Sequence, residues 1–147
     1  MKEKWWALVP AAPVFLGDLW LKHISIGQDR TLIPGVLSLR YTLNTGFALG
    51  LFPDSALAAT LISFLMLLFM LIFLFRFPWR RPAVLGFGMI LGGAAGNLWD
   101  RLLLHAVRDM LHLDFMHFYV FNLADAAVVL GAGLILLSTL LSREEPA

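Results

Sequence analysis

Four aspartates follow or interrupt apolar segments in the second half of the chain: Asp100, Asp109, Asp114 and Asp125. Two carboxyl groups a few ångström apart cannot both ionise, so such a pair shares one proton. One carboxylate can then act as general base on a water while the other carboxyl protonates a carbonyl. The spacing alone leaves open which two of the four aspartates would form such a pair.

Other chemistries have weaker support in the sequence. Three histidines, His105, His112 and His117, are spaced by seven and five residues, which matches no zinc motif. The chain has no cysteine, which excludes a thiolate nucleophile, and no G-x-S-x-G motif for a serine nucleophile. We therefore expect neither a metal nor another cofactor.

The composition is that of an integral membrane protein. Hydrophobic residues make up 60% of the 147 residues and charged residues 14%, with a mean hydropathy of +0.81. Soluble domains have ~45–50% apolar and ~25% charged residues. A net charge of +1 gives no electrostatic basis for binding nucleic acid. We expect one membrane-embedded domain over residues 1–147, in contact with membrane lipids.

Four apolar segments are long enough to cross a bilayer, which takes ~20 residues. They cover about residues 5–24, 55–75, 83–104 and 120–141. The loop over 76–82 has three arginines among its seven residues, which favours a cytoplasmic position. Both termini are then cytoplasmic, and the carboxylates lie at the outer face.

A short β element is predicted between the first two spans. Residues 37–44, LSLRYTLN, alternate apolar and polar side chains, which indicates a half-buried strand. Unpaired strand edges are not tolerated in lipid, so this strand, over about residues 36–44, should lie at the outer interface. The predicted fold is therefore an all-α membrane protein of four transmembrane helices with a small outer-interface β-cradle between helices 1 and 2.

Further polar residues gather at the same end of the spans. Asp18 and Lys22 are one helical turn apart and can pair. The glycine step from Gly92 to Gly96 should let helices approach closely. Ionisable groups near a membrane usually mark function. The remaining polar residues at this end are Asn97, Arg101 and Asn122.

Five motifs together resemble those of the bacterial lipoprotein signal peptidase (signal peptidase II) family. In chain order they are DLWLK (18–22), NTGFALGLF (44–52), GGAAGNLWDRL (92–102), LDF (113–115) and FNLADA (121–126). The resemblance implies a membrane-embedded aspartyl endopeptidase of the inner membrane. Such an enzyme needs no metal, is inhibited by globomycin, and cuts diacylglyceryl-modified prolipoproteins before the lipidated cysteine.

The resemblance also implies roles for individual residues. Asp114 and Asp125 match the catalytic aspartates, and Asp109 is the second choice for the first of them. Asp109 stands nearer the usual distance from GNLWDR, whereas Phe115 after Asp114 matches the family box. Supporting or substrate-binding roles are implied for the remaining matched residues, which are Asp18, Lys22, Asn44, Gly46, Asn97, Asp100, Arg101 and Asn122.

The chain departs from the family pattern between residues 101 and 120. The stretch from Asp100 to Asp114 is longer than usual, and the one from Asp114 to Asp125 is shorter. These changes keep open a prolipoprotein-binding paralogue with impaired catalysis. A small four-helix transporter is a further alternative, but transporters place ionisable residues near mid-membrane. Here the second and fourth spans have none at their centres.

Overall fold

A computed structural model of the chain describes residues 2–46, 56–116 and 119–142. It is mostly helical, with one small antiparallel sheet. A 3-10 helix, Lys2–Ala7, opens the chain. The elements after it are α1 (Leu8–Ile24), β1 (Asp29–Ile33), β2 (Leu37–Asn44), α2 (Ala56–Arg76), α3 (Arg81–Leu104), β3 (Val107–Leu113) and α4 (Leu123–Ser142).

Three of the four predicted spans appear as long apolar helices. Within the described part of the chain, α2, α3 and the Leu123–Leu141 portion of α4 are long and apolar enough to cross a membrane. The first predicted span, residues 5–24, is divided between the 3-10 helix and α1, which has 17 residues. Pro13 lies inside α1 and removes one backbone hydrogen bond there.

Helix α3 is the central helix, and α1, α2 and α4 all pack against it. Its glycines make this possible, as predicted. A Cβ at Gly92 would collide with the carbonyl oxygen of Ala11 on α1. A Cβ at Gly93 would lie 2.5 Å from the carbonyl oxygen of Ala124 on α4. Small residues therefore set the distance between the helices, as is common in membranes.

The sheet has the strand order β1-β2-β3, with both pairs antiparallel. The predicted strand is confirmed as β2, and a hairpin through Gly35, at φ +71°, joins it to β1. Helices α1 and α3 end next to the sheet, and α4 begins there, because β1 follows α1 and β3 connects α3 to α4. The sheet is thus at one end of the helix bundle.

Strand β3 was not predicted from the sequence. His105, in the left-handed region at φ 55°, ends α3 and turns the chain back towards the sheet. Thr42 of β2 pairs with Asp109 of β3, and Leu37 pairs with Leu113. The alternation of apolar and polar residues in β3 is broken where Met110 and Leu111 follow one another, and both donate their backbone N–H to the oxygen of Phe121. This irregularity hides the strand from a period-two pattern.

Candidate active site

Helix α4 begins with a reciprocal cap formed by Asn122 and Asp125. The Oδ1 of Asn122 accepts the backbone N–H of Asp125 at 2.9 Å, and Asp125 Oδ2 accepts that of Asn122 at 3.3 Å. The first backbone N–H groups of a helix lack partners within the helix, so a side chain must satisfy them. Asp125, whose carboxylate interrupts an apolar segment, is therefore held at the start of α4 by the backbone N–H of Asn122.

Asp109 reaches the same place from β3. Its Oδ1 accepts a hydrogen bond from Asn122 Nδ2 at 2.6 Å, and its Oδ2 accepts one from Asn44 Nδ2 at 3.1 Å. The amide of Asn44 is oriented in turn by the backbone N–H of Gly46, which donates to Asn44 Oδ1 at 3.0 Å. Strands β2 and β3 thus place Asn44 and Asp109 next to the start of α4.

Asp125 is held from the central helix. Asn97 of α3 donates from Nδ2 to Asp125 Oδ1 at 2.8 Å and accepts from Asn122 Nδ2 at 3.0 Å. Asn122 therefore contacts both aspartates as well as Asn97. All four carboxylate oxygens of Asp109 and Asp125 accept a hydrogen bond from an asparagine, three from side-chain amides and one from a backbone N–H.

The two aspartates differ in their surroundings. Asp109 is 2% exposed, whereas Asp125 is half-buried. Burial, together with the nearby charge of Asp125, raises the pKa of Asp109 to about 7, even though Asn44 and Asn122 favour its ionised form. Asp109 is thus largely protonated below about pH 7. A neutral carboxyl of this kind is the proton donor that general acid–base chemistry requires.

A layer of buried charges lies beside the pair. Lys22 is fully buried and contacts Asp18 at 2.7 Å and Asp100 at 3.3 Å, which confirms the predicted pairing of Asp18 with Lys22. Its Nζ also donates to Asn97 Oδ1 at 2.9 Å. Asp18 accepts the backbone N–H of Ala124 on α4 at 3.0 Å. This layer connects α1, α3 and α4, and it fixes the amide that contacts Asp125.

Arg101 supplies a further positive charge to this region. It lies one residue after Asp100 near the end of α3, and it interacts electrostatically with Asp125, Asp109 and Asp100. Within the part of the chain that the structure describes, no group of three His, Asp or Glu side chains is placed to hold a metal ion.

The structure does not bring Asp114 to Asp125, contrary to the prediction. Asp109 and the end of β3 at Leu113 are four residues apart, or ~14 Å of extended strand. Asp114 lies beyond that end, and its carboxylate contacts Ser38 Oγ at 2.6 Å and His112 Nδ1 at 3.0 Å. These two partners lower its pKa. Asp109, the second choice, is the aspartate that shares Asn122 with Asp125.

The separation of Asp114 from Asp125 follows from the strand. The sequence comparison gave weight to the Phe115 that follows Asp114, but it could not show that residues 107–113 are extended and pair with β2. Extended pairing carries Asp114 to the far end of the sheet, next to Val36, whose oxygen accepts its backbone N–H at 3.0 Å. Asp114 thus ties β3 to the β1–β2 hairpin.

The sequence analysis also missed Arg108. Its guanidinium contacts Asp100 at 2.6 Å, and its backbone N–H donates to the same carboxylate at 3.0 Å. The eight-residue separation of these two residues fits no helical or strand spacing, so no pattern in the sequence could have indicated the contact.

Comparison with solved structures shows the fold. Two bacterial membrane enzymes match it with TM-scores of 0.85 and 0.80, at 23% and 24% sequence identity. The first match covers 96% of this chain and 92% of the other, and the second covers 91% and 92%.

Comparison of sequences shows the family. A lipoprotein signal peptidase of Lactobacillus johnsonii is 35% identical over 139 residues, which is 94% of this chain and 90% of the relative. One of Streptococcus pyogenes serotype M2 is 38% identical over 135 residues, covering 88% and 86%. The family described as Signal peptidase (SPase) II matches residues 11–141. The chain therefore belongs to the signal peptidase II family.

Proposed function

We propose that the protein is an aspartyl endopeptidase that removes signal peptides from diacylglyceryl-modified prolipoproteins, cutting before the lipidated cysteine. The relatives named lipoprotein signal peptidase support the substrate class. One structural observation supports the mechanism: Asp109 and Asp125 meet at the start of α4, with asparagine donors on all four carboxylate oxygens. We assign these two residues as the catalytic pair.

The difference between the two carboxyl groups gives each a role. Asp125 acts as the general base: it removes a proton from the attacking water while the water oxygen bonds to the scissile carbonyl carbon. Asp109, whose pKa of about 7 keeps it largely protonated below that pH, gives its proton to the carbonyl oxygen. A tetrahedral gem-diol results.

Collapse of the gem-diol restores the enzyme. Asp125 transfers its proton to the amine of the lipidated cysteine as the C–N bond breaks, and a hydroxyl of the gem-diol returns a proton to Asp109. The carboxyl product and the free amine leave with the water atoms incorporated. No other reactant is needed.

The proposed placement in the bilayer follows from the helices. The 3-10 helix and α1 together form the fourth crossing, in a single domain over residues 1–147 with both termini cytoplasmic. The pair then lies at the outer face of the inner membrane, beside the sheet. Membrane lipids surround the helices, so the acyl chains of the substrate can stay in the bilayer. The sheet would hold the substrate peptide in extended form, since pairing of main chains suits variable sequences.

The test compares three substitutions of one type: Asp109→Asn, Asp125→Asn and Asp114→Asn. Purified variants are incubated with a diacylglyceryl-modified precursor, with and without globomycin. The first two should lose at least ~10²-fold in cleavage rate, since each removes one general acid–base group. Asp114→Asn should stay within a few-fold of wild type, because Asp114 contacts Ser38 and His112 instead of the pair.

Two results would contradict the assignment. Retained cleavage by Asp109→Asn would reject Asp109, and loss of cleavage by a folded Asp114→Asn would restore the original choice. A wild-type protein that binds the precursor without cutting it would instead be the impaired paralogue. In each case the unfolding temperature of the variant separates lost chemistry from lost structure.

A further inference from the structure

Arg108 is held to the end of α3 through both its side chain and its backbone. Its Nη2 contacts Asp100 Oδ1 at 2.6 Å, and its Nε lies 3.2 Å from both carboxylate oxygens. Its backbone N–H donates to Asp100 Oδ2 at 3.0 Å, and its backbone oxygen accepts from Asn122 Nδ2 at 3.4 Å. A guanidinium that binds a carboxylate in this forked way gives geometric specificity as well as attraction.

The two backbone contacts lie on the peptide units on either side of Arg108, the second of which joins Arg108 to Asp109. Strand β2 holds one edge of β3 there, through the pairing of Thr42 with Asp109. On the other edge, Asp100 and Asn122 take the place of a strand. The β2–β3 ladder is irregular just after Asp109, because the register shifts between Thr42 and Leu39 of β2. The contacts of Arg108 with Asp100 therefore orient the β3 backbone at Asp109, where the irregular ladder does not.

Arg108 also completes a charge balance. Asp18 and Asp100 are fully buried, and Lys22 is the cation that both contact. One ammonium cannot neutralise two carboxylates, and an uncompensated buried charge is costly. The guanidinium of Arg108 supplies the second positive charge.

We propose that Arg108 is a positioning residue for Asp109: it fixes the β3 backbone to Asp100 and neutralises that carboxylate beside the catalytic pair. This inference rests on the proposed function, in which Asp109 must stand at a fixed place with its proton. Charged groups reach Asp109 from every helix that meets at the site. They are Lys22 from α1, Arg101 from α3 and Asp125 from α4, with the neutral Asn44 facing it from β2.

The experiment distinguishes the effect of the positive charge from that of the bidentate hydrogen bonds to Asp100. Arg108→Gln removes both, and Arg108→Lys keeps the charge alone. Arg76→Gln is the matched control, since Arg76 is exposed at the end of α2, away from the sheet. For each protein, kcat and KM are measured against pH on a diacylglyceryl-modified precursor. Protonation of Asp109 is followed independently of activity by the infrared C=O band of its neutral carboxyl, identified by its absence in Asp109→Asn.

For Arg108→Gln we expect the alkaline limb of kcat and the infrared titration to move together to higher pH by about one unit. One uncompensated charge acting over ~10 Å at an effective dielectric of ~20 gives a shift of that size. We expect kcat to fall by ~10²-fold with KM changed less than about threefold, because a displacement of ~1 Å at a catalytic group costs that much. Arg76→Gln should change neither the position of the alkaline limb nor kcat.

The double variant Asp100→Asn/Arg108→Gln restores neutrality, so its alkaline limb should return to the wild-type position while kcat stays low. Arg108→Lys should likewise keep the wild-type limb with a lowered kcat. An unmoved limb in Arg108→Gln would overturn the electrostatic part of the proposal. Wild-type kcat in Arg108→Lys and Arg108→Gln would overturn the positioning part, and Arg108→Lys alone decides it if Arg108→Gln does not fold. The infrared titration stands even if the wild type cleaves no precursor.

Discussion

Gly96→Ala should disrupt both the packing of α3 and the site, although it adds only one methyl group. A Cβ at Gly96 would lie 2.5 Å from Asp18 Oδ2 and 3.3 Å from Asp18 Cγ. Ordinary contact begins near 3.4 Å, so Asp18 would have to withdraw by about 0.9 Å. Asp18 has little room to move, because Lys22 holds it at 2.7 Å and the backbone N–H of Ala124 at 3.0 Å.

The magnitude follows from what the displacement breaks. Overpacking costs about 1–3 kcal/mol, and separating a buried ion pair costs about 3–5 kcal/mol when one partner is lost outright. Asp18 is displaced but not removed, so we expect the free energy of unfolding to fall by about 2–4 kcal/mol. Lys22 also positions Asn97 against Asp125, so the cleavage rate should fall by up to ~10²-fold.

Gly133→Ala is the matched control. It makes the same substitution within α4, at a glycine with no neighbouring atom within 4 Å of the added Cβ. Alanine is favoured over glycine in a helix by ~1 kcal/mol, so this variant should be at least as stable as wild type. Thermal unfolding in detergent micelles and the rate of precursor cleavage are measured for both. The packing argument is refuted if Gly96→Ala unfolds no earlier than Gly133→Ala and cleaves at the wild-type rate.

Three further outcomes follow from the proposed catalytic pair. Because the pKa of Asp109 is raised to about 7 and its proton is required, the cleavage rate should fall about tenfold per pH unit above pH 7; a rate that stays constant to pH 9 would contradict this role. The folded state also binds this proton more tightly than the unfolded chain, so this group's contribution to stability should decrease as the pH rises from about 4 to about 7. Asn122→Ala removes the α4 cap, worth ~1 kcal/mol, and leaves Asp109 Oδ1 without its 2.6 Å partner, at ~1–3 kcal/mol. Its unfolding temperature should fall together with kcat, and an unchanged unfolding temperature would show that the cap is dispensable.

The helices and β2 were predictable because their signals are local. Long apolar segments indicate α2, α3 and α4, and strict alternation indicates β2. The position of Asn122 three residues before Asp125 is likewise typical of a helix start. Each of these features depends on residues a few positions apart, so a single sequence contains the whole signal.

The position of Asp109 beside Asp125 was not predictable in this way. It depends on the register between β2 and β3, which places Thr42 opposite Asp109 across 67 positions of sequence. The irregularity at Met110 and Leu111 removes the alternation that would have indicated β3. Motif matching favoured Asp114 because Phe115 follows it, as in the family motif. The pairing of Asp109 with Thr42 in the sheet is visible only in the structure.

The pairing of Asp18 with Lys22 within one turn of α1 bears on how the chain is made. Helix α1 leaves the ribosome and meets the membrane before Asp100, Asn97 and Ala124 have been synthesised. Charged residues oppose insertion, but here each carries its counter-ion on the same helix, at 2.7 Å. The contact between Asp18 and Ala124 joins residues 106 positions apart, so it forms only when α4 arrives. A partly synthesised chain therefore contains no assembled site, and proteolytic competence begins with the last helix.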